Sequence, residues 1–126
     1  PSLALKDGKP FMVFGTPGGD QQDQWSTLMF LHHADHGMNL QESIDCPAFH
    51  TDHFPSSFWP RAYQSKKVVL EGRFPDSTIS ELKRRGHDIE IGEPWSEGRL
   101  TAASSDGSTL KAAANARGMQ GYAAGR

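Results

Sequence analysis

The segment FMVFGTPGGD, Phe11 to Asp20, sets two consecutive glycines between an apolar run and a helical pattern that extends from Gln21 to His36. Gly18 and Gly19 carry no Cβ, so their backbone N–H groups can approach a ligand closely. They also fall where the unpaired donors of a helix start already favour negative charge. A turn of this kind suits an oxyanion or a carboxylate. Most glycine pairs after a strand simply answer the need of a tight turn for positive φ, so the local pattern alone favours the structural reading.

Other residue types invite other chemistry. His32, His33 and His36 share one helical pattern, and His50, Asp52 and His53 follow in a loop. His32 and His36 are four apart and so share a face that could reach one metal ion. That face continues Trp25, Leu28 and Met29, where histidine packs and hydrogen-bonds, and His33 stands where a zincin carries glutamate. No metal site is assigned. The amine of Pro1 could act as a base, as in small tautomerases, but no other residue supports that role. Asp20, Asp23, Asp45 and Asp52 are explained by capping and solvation. The aromatic segment Phe54 to Arg61, FPSSFWPR, has a composition enriched at contact surfaces, and it is expected to meet a polypeptide outside this chain rather than the chain's own sheet. Lys66-Lys67 and Lys83-Arg84-Arg85 read as solvated surface rather than a nucleic-acid footprint.

These residues need elements to hold them. Ser2–Leu5 and Pro10–Phe14 flank Asp7-Gly8 and predict a hairpin. Trp25, Leu28, Met29 and Leu31 have helical spacing, with Asp20 able to cap or complement the start and Gly37 to close the end. Asn39 begins a second helix, Glu42 three residues on completes a capping box, and Pro47 ends it. Phe49 to Tyr63 is broken by prolines and predicts an edge strand or an extended loop. A strand over Lys67–Leu70, a helix over Asp76–Arg85 with Ile79 and Leu82 inward, and a strand near Asp88–Ile91 follow. A last hairpin turns at Asp106-Gly107 between Leu100–Ser104 and Thr109–Ala114, and residues 118–126 read as a tail.

The run Gly15-Thr-Pro-Gly-Gly19 is followed by His36-Gly-Met-Asn-Leu-Gln-Glu-Ser-Ile-Asp-Cys-Pro-Ala-Phe-His50, and later by Ala113-Ala-Asn-Ala-Arg-Gly118. In this order and over nearly the whole chain, the segments resemble the carboxy-terminal part of the small subunit of the gamma-glutamyltransferase (gamma-glutamyltranspeptidase) family. Ala48 stands where the family usually has arginine, and Asn115-Ala116 replaces Asp-Pro. These departures mark a divergent branch. The resemblance implies an α+β fold: part of an αββα Ntn-hydrolase sandwich of antiparallel sheets flanked by helices, with residues 1–126 as a single domain. It implies a precursor that cuts itself to expose a threonine nucleophile, whose own amine serves as base. Pro1 matches a position downstream of that threonine, just after the family's carboxylate-binding serine pair. The chain is therefore expected to be a fragment, inactive alone, whose partners are the remainder of the small subunit and the large subunit. Of the family's catalytic groups only Gly18 and Gly19 carry over, as backbone donors of the oxyanion hole and to the bound substrate. The implied substrates are a gamma-glutamyl amide and an acceptor amino acid, peptide or water, with no cofactor; the alternative is a related amidohydrolase with another acyl substrate, or a non-catalytic metal-binding or interaction domain.

Composition fits a piece of a globular protein. Thirteen Lys and Arg against fifteen Asp and Glu give a net charge of −2, which argues against a general nucleic-acid binder. No apolar run is long enough to span a bilayer. The single cysteine, Cys46, excludes an intrachain disulfide and reads as a packing thiol. Three tryptophans and seven phenylalanines supply much of the apolar side-chain volume, as in a layer that buries itself partly against another polypeptide.

Overall fold

The computed structural model describes residues 1–119 and 121–125. Contacts cluster into two compact units, one formed by Pro1–Cys46 with the chain from Gly98 onward, the other by Pro47–Glu97.

In the first unit, β1 (Ser2–Lys6) and β2 (Lys9–Gly15) form the expected hairpin around Asp7-Gly8, both at positive φ. β2 then pairs antiparallel with β6 (Thr101–Ser105), and β6 with β7 (Leu110–Ala114), giving the order β1-β2-β6-β7. Met12, Ala102, Ser104 and Ala113 are buried on this sheet. Helices α1 (Gln22–Ala34) and α2 (Leu40–Asp45) supply the matching side chains. On α1, Trp25 and Met29 are buried, Phe30 stacks on Phe14 at 5.8 Å, and His33 on Phe11 at 5.8 Å. Burying side chains of that size stabilises by about 1.5–3 kcal/mol each. Alternation along the strands leaves the other row open: Leu3 pairs with Val13, Val13 with Ala103 and Ala103 with Ala112, and Leu3 is 60% and Val13 48% exposed.

The capping box of α2 is complete, with Asn39 Oδ1 accepting the Glu42 N–H and Glu42 Oε2 accepting the Asn39 N–H, each at 2.9 Å. Arg117 closes the other end. It is 2% exposed and donates from Nη1 to the Ile44 carbonyl (2.7 Å) and from Nη2 to the Cys46 carbonyl (2.8 Å). The Ala113–Gly118 motif thus serves the fold by capping a helix at its carbonyl end. Arg117–Met119 is a short 3₁₀ turn, residues 121–125 have no regular secondary structure, and Gln120 and Arg126 of the expected tail lie outside the described residues.

The hairpin between β6 and β7 turns on Asp106. Its Oδ1 accepts from the Ser108 N–H, the Thr109 N–H and the Ser108 hydroxyl at 2.8–3.0 Å. The backbone donors of Thr109 and Ser108, in that order, hold its carboxyl down to about pKa 2. A carboxylate depressed in the folded state contributes stability that is present above its ordinary value near 4 and is lost as pH falls through about 2. Asp106→Ala should therefore destabilise the protein at neutral pH, and the difference from wild type should vanish as the sample is titrated down to about pH 2. A difference that stays constant throughout the titration would contradict this role.

In the second unit, β3 (Phe49–Thr51) runs antiparallel to β4 (Lys67–Leu70), and β4 parallel to β5 (Asp88–Ile91) through the crossover helix α3 (Asp76–Arg84). Of the proline-broken segment, only Phe49–Thr51 is strand; the remainder is irregular. Glu71, fully buried at the end of β4, accepts from the Ala48 N–H (3.1 Å), the Glu97 N–H (3.0 Å) and Arg73 Nη2 (2.8 Å). Ala48 is 7% exposed, so the position at which the family usually has arginine is part of the packed interior here. No helix among the described residues is long and apolar enough to cross a membrane.

Candidate active site

The glycine turn lies between β2 and α1. Gly18 has φ 135° and ψ 29°, Gly19 has φ 60°, and both are exposed. A 3₁₀ turn over Gly19–Gln21 leads into α1, so the helix proper begins one residue later than the sequence pattern suggests. Asp20 falls inside that 3₁₀ turn and is not the cap of α1, which is Gln21 with no side-chain cap bond. The acidic side chain can still complement the positive end of the helix.

Three contacts fix the turn. The Thr16 hydroxyl accepts the Arg99 N–H at 2.8 Å and donates to the Pro17 carbonyl at 2.8 Å. Behind Gly18 stands the indole of Trp25, so close that a Cβ on Gly18 would lie 2.4 Å from Cζ3. The third contact is Gln22. With its amide assigned in the orientation that satisfies both neighbours, Nε2 donates to the Thr16 carbonyl and Oε1 accepts the Gly19 N–H, each at 3.2 Å. Sequence inspection passed over Gln22, because a lone glutamine at a helix start has no pattern of its own. It could have been found only by asking what satisfies the Gly19 N–H.

Next to the turn opens a cavity of about 720 Å³, lined among others by Thr16, Pro17, Gln22, Arg99, Asn115 and Arg117, all of the first unit. That volume falls within the range of small-molecule sites. Asn115 is 4% exposed, its backbone N–H donates to the Leu100 carbonyl, and its side-chain Nδ2 has no hydrogen-bond partner among the described residues.

His32, His33 and His36 belong to the first unit. His32 and His36 do share a face, with ring centroids 6.0 Å apart, whereas His33 Nδ1 lies 2.8 Å from the Met38 carbonyl. His50 and His53 belong to the second unit. His50 Nδ1 lies 2.5 Å from the buried Glu97 carboxylate, and its Nε2 is 3.6 Å from Asp52. His53 accepts the Lys66 N–H at 3.0 Å. Lys67 bonds Glu90 at 2.7 Å, and this raises the lysine and lowers the glutamate from their ordinary values. Among the described residues no three His, Cys, Asp or Glu side chains are grouped as metal ligands. Cys46 is half-buried, with Sγ 3.4 Å from Met38 Sδ.

Mixed helices and antiparallel sheet, with a strand, a glycine turn and a helix in succession, define an α+β class of fold that solved gamma-glutamyltranspeptidases share. Within that class the chain belongs to the gamma-glutamyltranspeptidase family, which it matches over residues 1–125. It is 38% identical over 93 residues to the oxamate amidohydrolase proenzyme of Klebsiella pneumoniae, covering 74% of this chain and 16% of that protein. Its identity to a glutathione hydrolase-like proenzyme of Bacillus subtilis is 36% over 91 residues, covering 72% and 16% respectively. A solved structure of the protein LmbA2991 superposes with a TM-score of 0.91 at 53% identity, covering 98% of this chain and 22% of that one. The matched segment is thus about a sixth of these curated relatives' length.

Proposed function

We propose that this chain forms the oxyanion side of the active site in an Ntn hydrolase that hydrolyses or transfers gamma-glutamyl groups. The observation that carries the reading is the Gly18-Gly19 pair, exposed and in consecutive positive-φ conformations at the start of a thirteen-residue helix. In this reading the hydroxyl of a threonine in the remainder of the small subunit attacks the gamma-carbonyl carbon. A C–O bond forms, the carbonyl electrons move onto oxygen, and the N–H groups of Gly18 and Gly19 meet the resulting negative charge. The threonine's own amine takes the hydroxyl proton and passes it to the leaving amine as the C–N bond breaks, and water or an acceptor amine then cleaves the glutamyl ester and restores the threonine hydroxyl. The chain needs the remainder of the small subunit and the large subunit for turnover, and it is inactive alone.

A second reading follows from the 38% identity to an oxamate amidohydrolase proenzyme: the same donors would serve a different acyl amide. Intact-mass spectrometry of the whole protein, incubated with a gamma-glutamyl anilide, separates the two. The first reading expects a chain that begins with threonine and gains the mass of a glutamyl group while the aniline is released. Release of ammonia from oxamate with no turnover of the anilide would replace it with the second.

A further inference from the structure

We propose that Gln22 is a positioning residue that holds the oxyanion turn in its working shape and occupies the Gly19 donor until negative charge develops. This inference rests on the reading of Gly18 and Gly19 given above. One side chain joins both ends of the turn: its amide nitrogen reaches the carbonyl of Thr16, before the glycines, and its amide oxygen reaches the N–H of Gly19. Thr16 is itself held by the Arg99 N–H. The amide therefore closes a ring over Thr16-Pro17-Gly18-Gly19, at a point where both glycines would otherwise explore φ of either sign.

The chemistry of the contact makes it selective. The amide oxygen of Gln22 is a neutral acceptor, as is the carbonyl oxygen of a bound amide substrate. The two compete on equal terms for the Gly19 N–H, so the ground state gains little by displacing Gln22. A tetrahedral oxyanion makes a charge-assisted hydrogen bond, about twice as strong as a neutral one, and wins the donor. Binding energy at Gly19 is then released mainly in the transition state, where it raises kcat rather than lowering KM. Gln22 also lines the cavity beside the turn.

The test is Gln22→Glu in the intact enzyme. The carboxylate keeps the shape of the amide, but it grips the Gly19 N–H with a charge of its own and sets a second acceptor against the Thr16 carbonyl. At neutral pH kcat should fall about ten- to a hundredfold, the worth of one hydrogen bond to a charged group. Below the ordinary glutamic-acid range near pH 4.3 the protonated acid can again donate to Thr16, and activity should climb back toward that of wild type at the same pH. Asp20 and Asp23 flank Gln22 in sequence and Arg99 lines the same cavity; all three are common to both proteins, so the ratio of variant to wild type isolates the substituted group. A ratio within twofold of unity at every pH would overturn the proposal, as would a loss that does not change with pH.

Amide hydrogen exchange separates failure of this inference from failure of the oxyanion reading. In Gln22→Met the Gly19 N–H should exchange at least tenfold faster than in wild type. Unchanged exchange would remove Gln22 from the turn and leave Gly18 and Gly19 as donors. Accelerated exchange in Gln22→Met, together with unaltered kcat in both variants, would overturn the donor role itself and this proposal with it.

Discussion

Gly18→Ala is expected to lower kcat/KM of the intact enzyme by about two to three powers of ten, the loss that follows removal of one oxyanion donor. The substitution deletes no hydrogen-bonding group. Its effect comes from the methyl, which would stand 2.4 Å from Cζ3 and 3.1 Å from Cη2 of Trp25. Trp25 is 9% exposed and is backed by Gly98, where an added Cβ would lie 3.3 Å from the indole. The ring has little room to retreat, so the turn moves instead, and the N–H groups move with it. The φ of 135° adds backbone strain for any L residue. Gly37→Ala is the control: φ is 68° there, with nothing within 4 Å of the added carbon, so only the backbone cost of about 1–2 kcal/mol applies and turnover should be kept. Combining Gly18→Ala with Trp25→Phe, which shortens the ring, should restore part of the rate, and a double-mutant cycle measures the coupling. Near-normal turnover by Gly18→Ala alone would contradict the oxyanion assignment.

The largest expected effect on stability is at Glu71. Its two oxygens accept two backbone N–H groups and the Arg73 guanidinium, with no exposure to solvent. The two backbone donors, Ala48 and Glu97, are 23 and 26 positions away in sequence, so one carboxylate joins the entrance of β3, the end of β4 and the exit of the unit. Arg73 in turn lies 3.5 Å over the Trp95 ring. Glu71→Ala strands buried donors and a cation together and should cost about 3–5 kcal/mol, a large part of a domain's 5–15 kcal/mol. Glu71→Gln keeps one acceptor but turns an NH₂ toward a donor and should lose less, about 1–3 kcal/mol. Urea unfolding of the intact protein checks both, with exchange of the Ala48 and Glu97 amides as the local readout. A midpoint for Glu71→Ala equal to that of wild type would show that the carboxylate is not what ties these segments.

Local signals of the sequence carried well into the structure. Asp7-Gly8 turned the first hairpin, Asn39 and Glu42 built the capping box, and Gly37 adopted positive φ beyond α1. Each depends on neighbours within a few residues, and propensity and hydrogen-bonding chemistry decide such cases. What stayed hidden was non-local. The pairing of β2 with β6 brings Met12 beside Ser104, and no periodicity in either strand names the other as partner. The parallel pairing of β4 with β5 depends on α3 folding back over the sheet. In the candidate site the glycine pair stood out only through the Gly15–Gly19 motif of the family, because a tight turn alone accounts for two glycines. Trp25 and Gln22, which hold that pair, were not. Trp25 reads only as one more apolar position on a helix, and Gln22 as one polar residue among several in Asp20–Gln24. The Ala113–Gly118 motif was visible, but Arg117 proved to cap α2 through two carbonyls, a partnership that needs the fold to be seen.

The most direct test is a structure of the intact enzyme carrying a covalent gamma-glutamyl adduct or a tetrahedral mimic of it. The account predicts that the oxygen derived from the scissile carbonyl lies about 2.7–3.1 Å from the backbone nitrogens of Gly18 and Gly19, with the Gln22 amide displaced from Gly19. An oxygen that points away from the glycine turn, toward donors on other elements, would contradict it and return Gly18 and Gly19 to the role of a tight turn between β2 and α1.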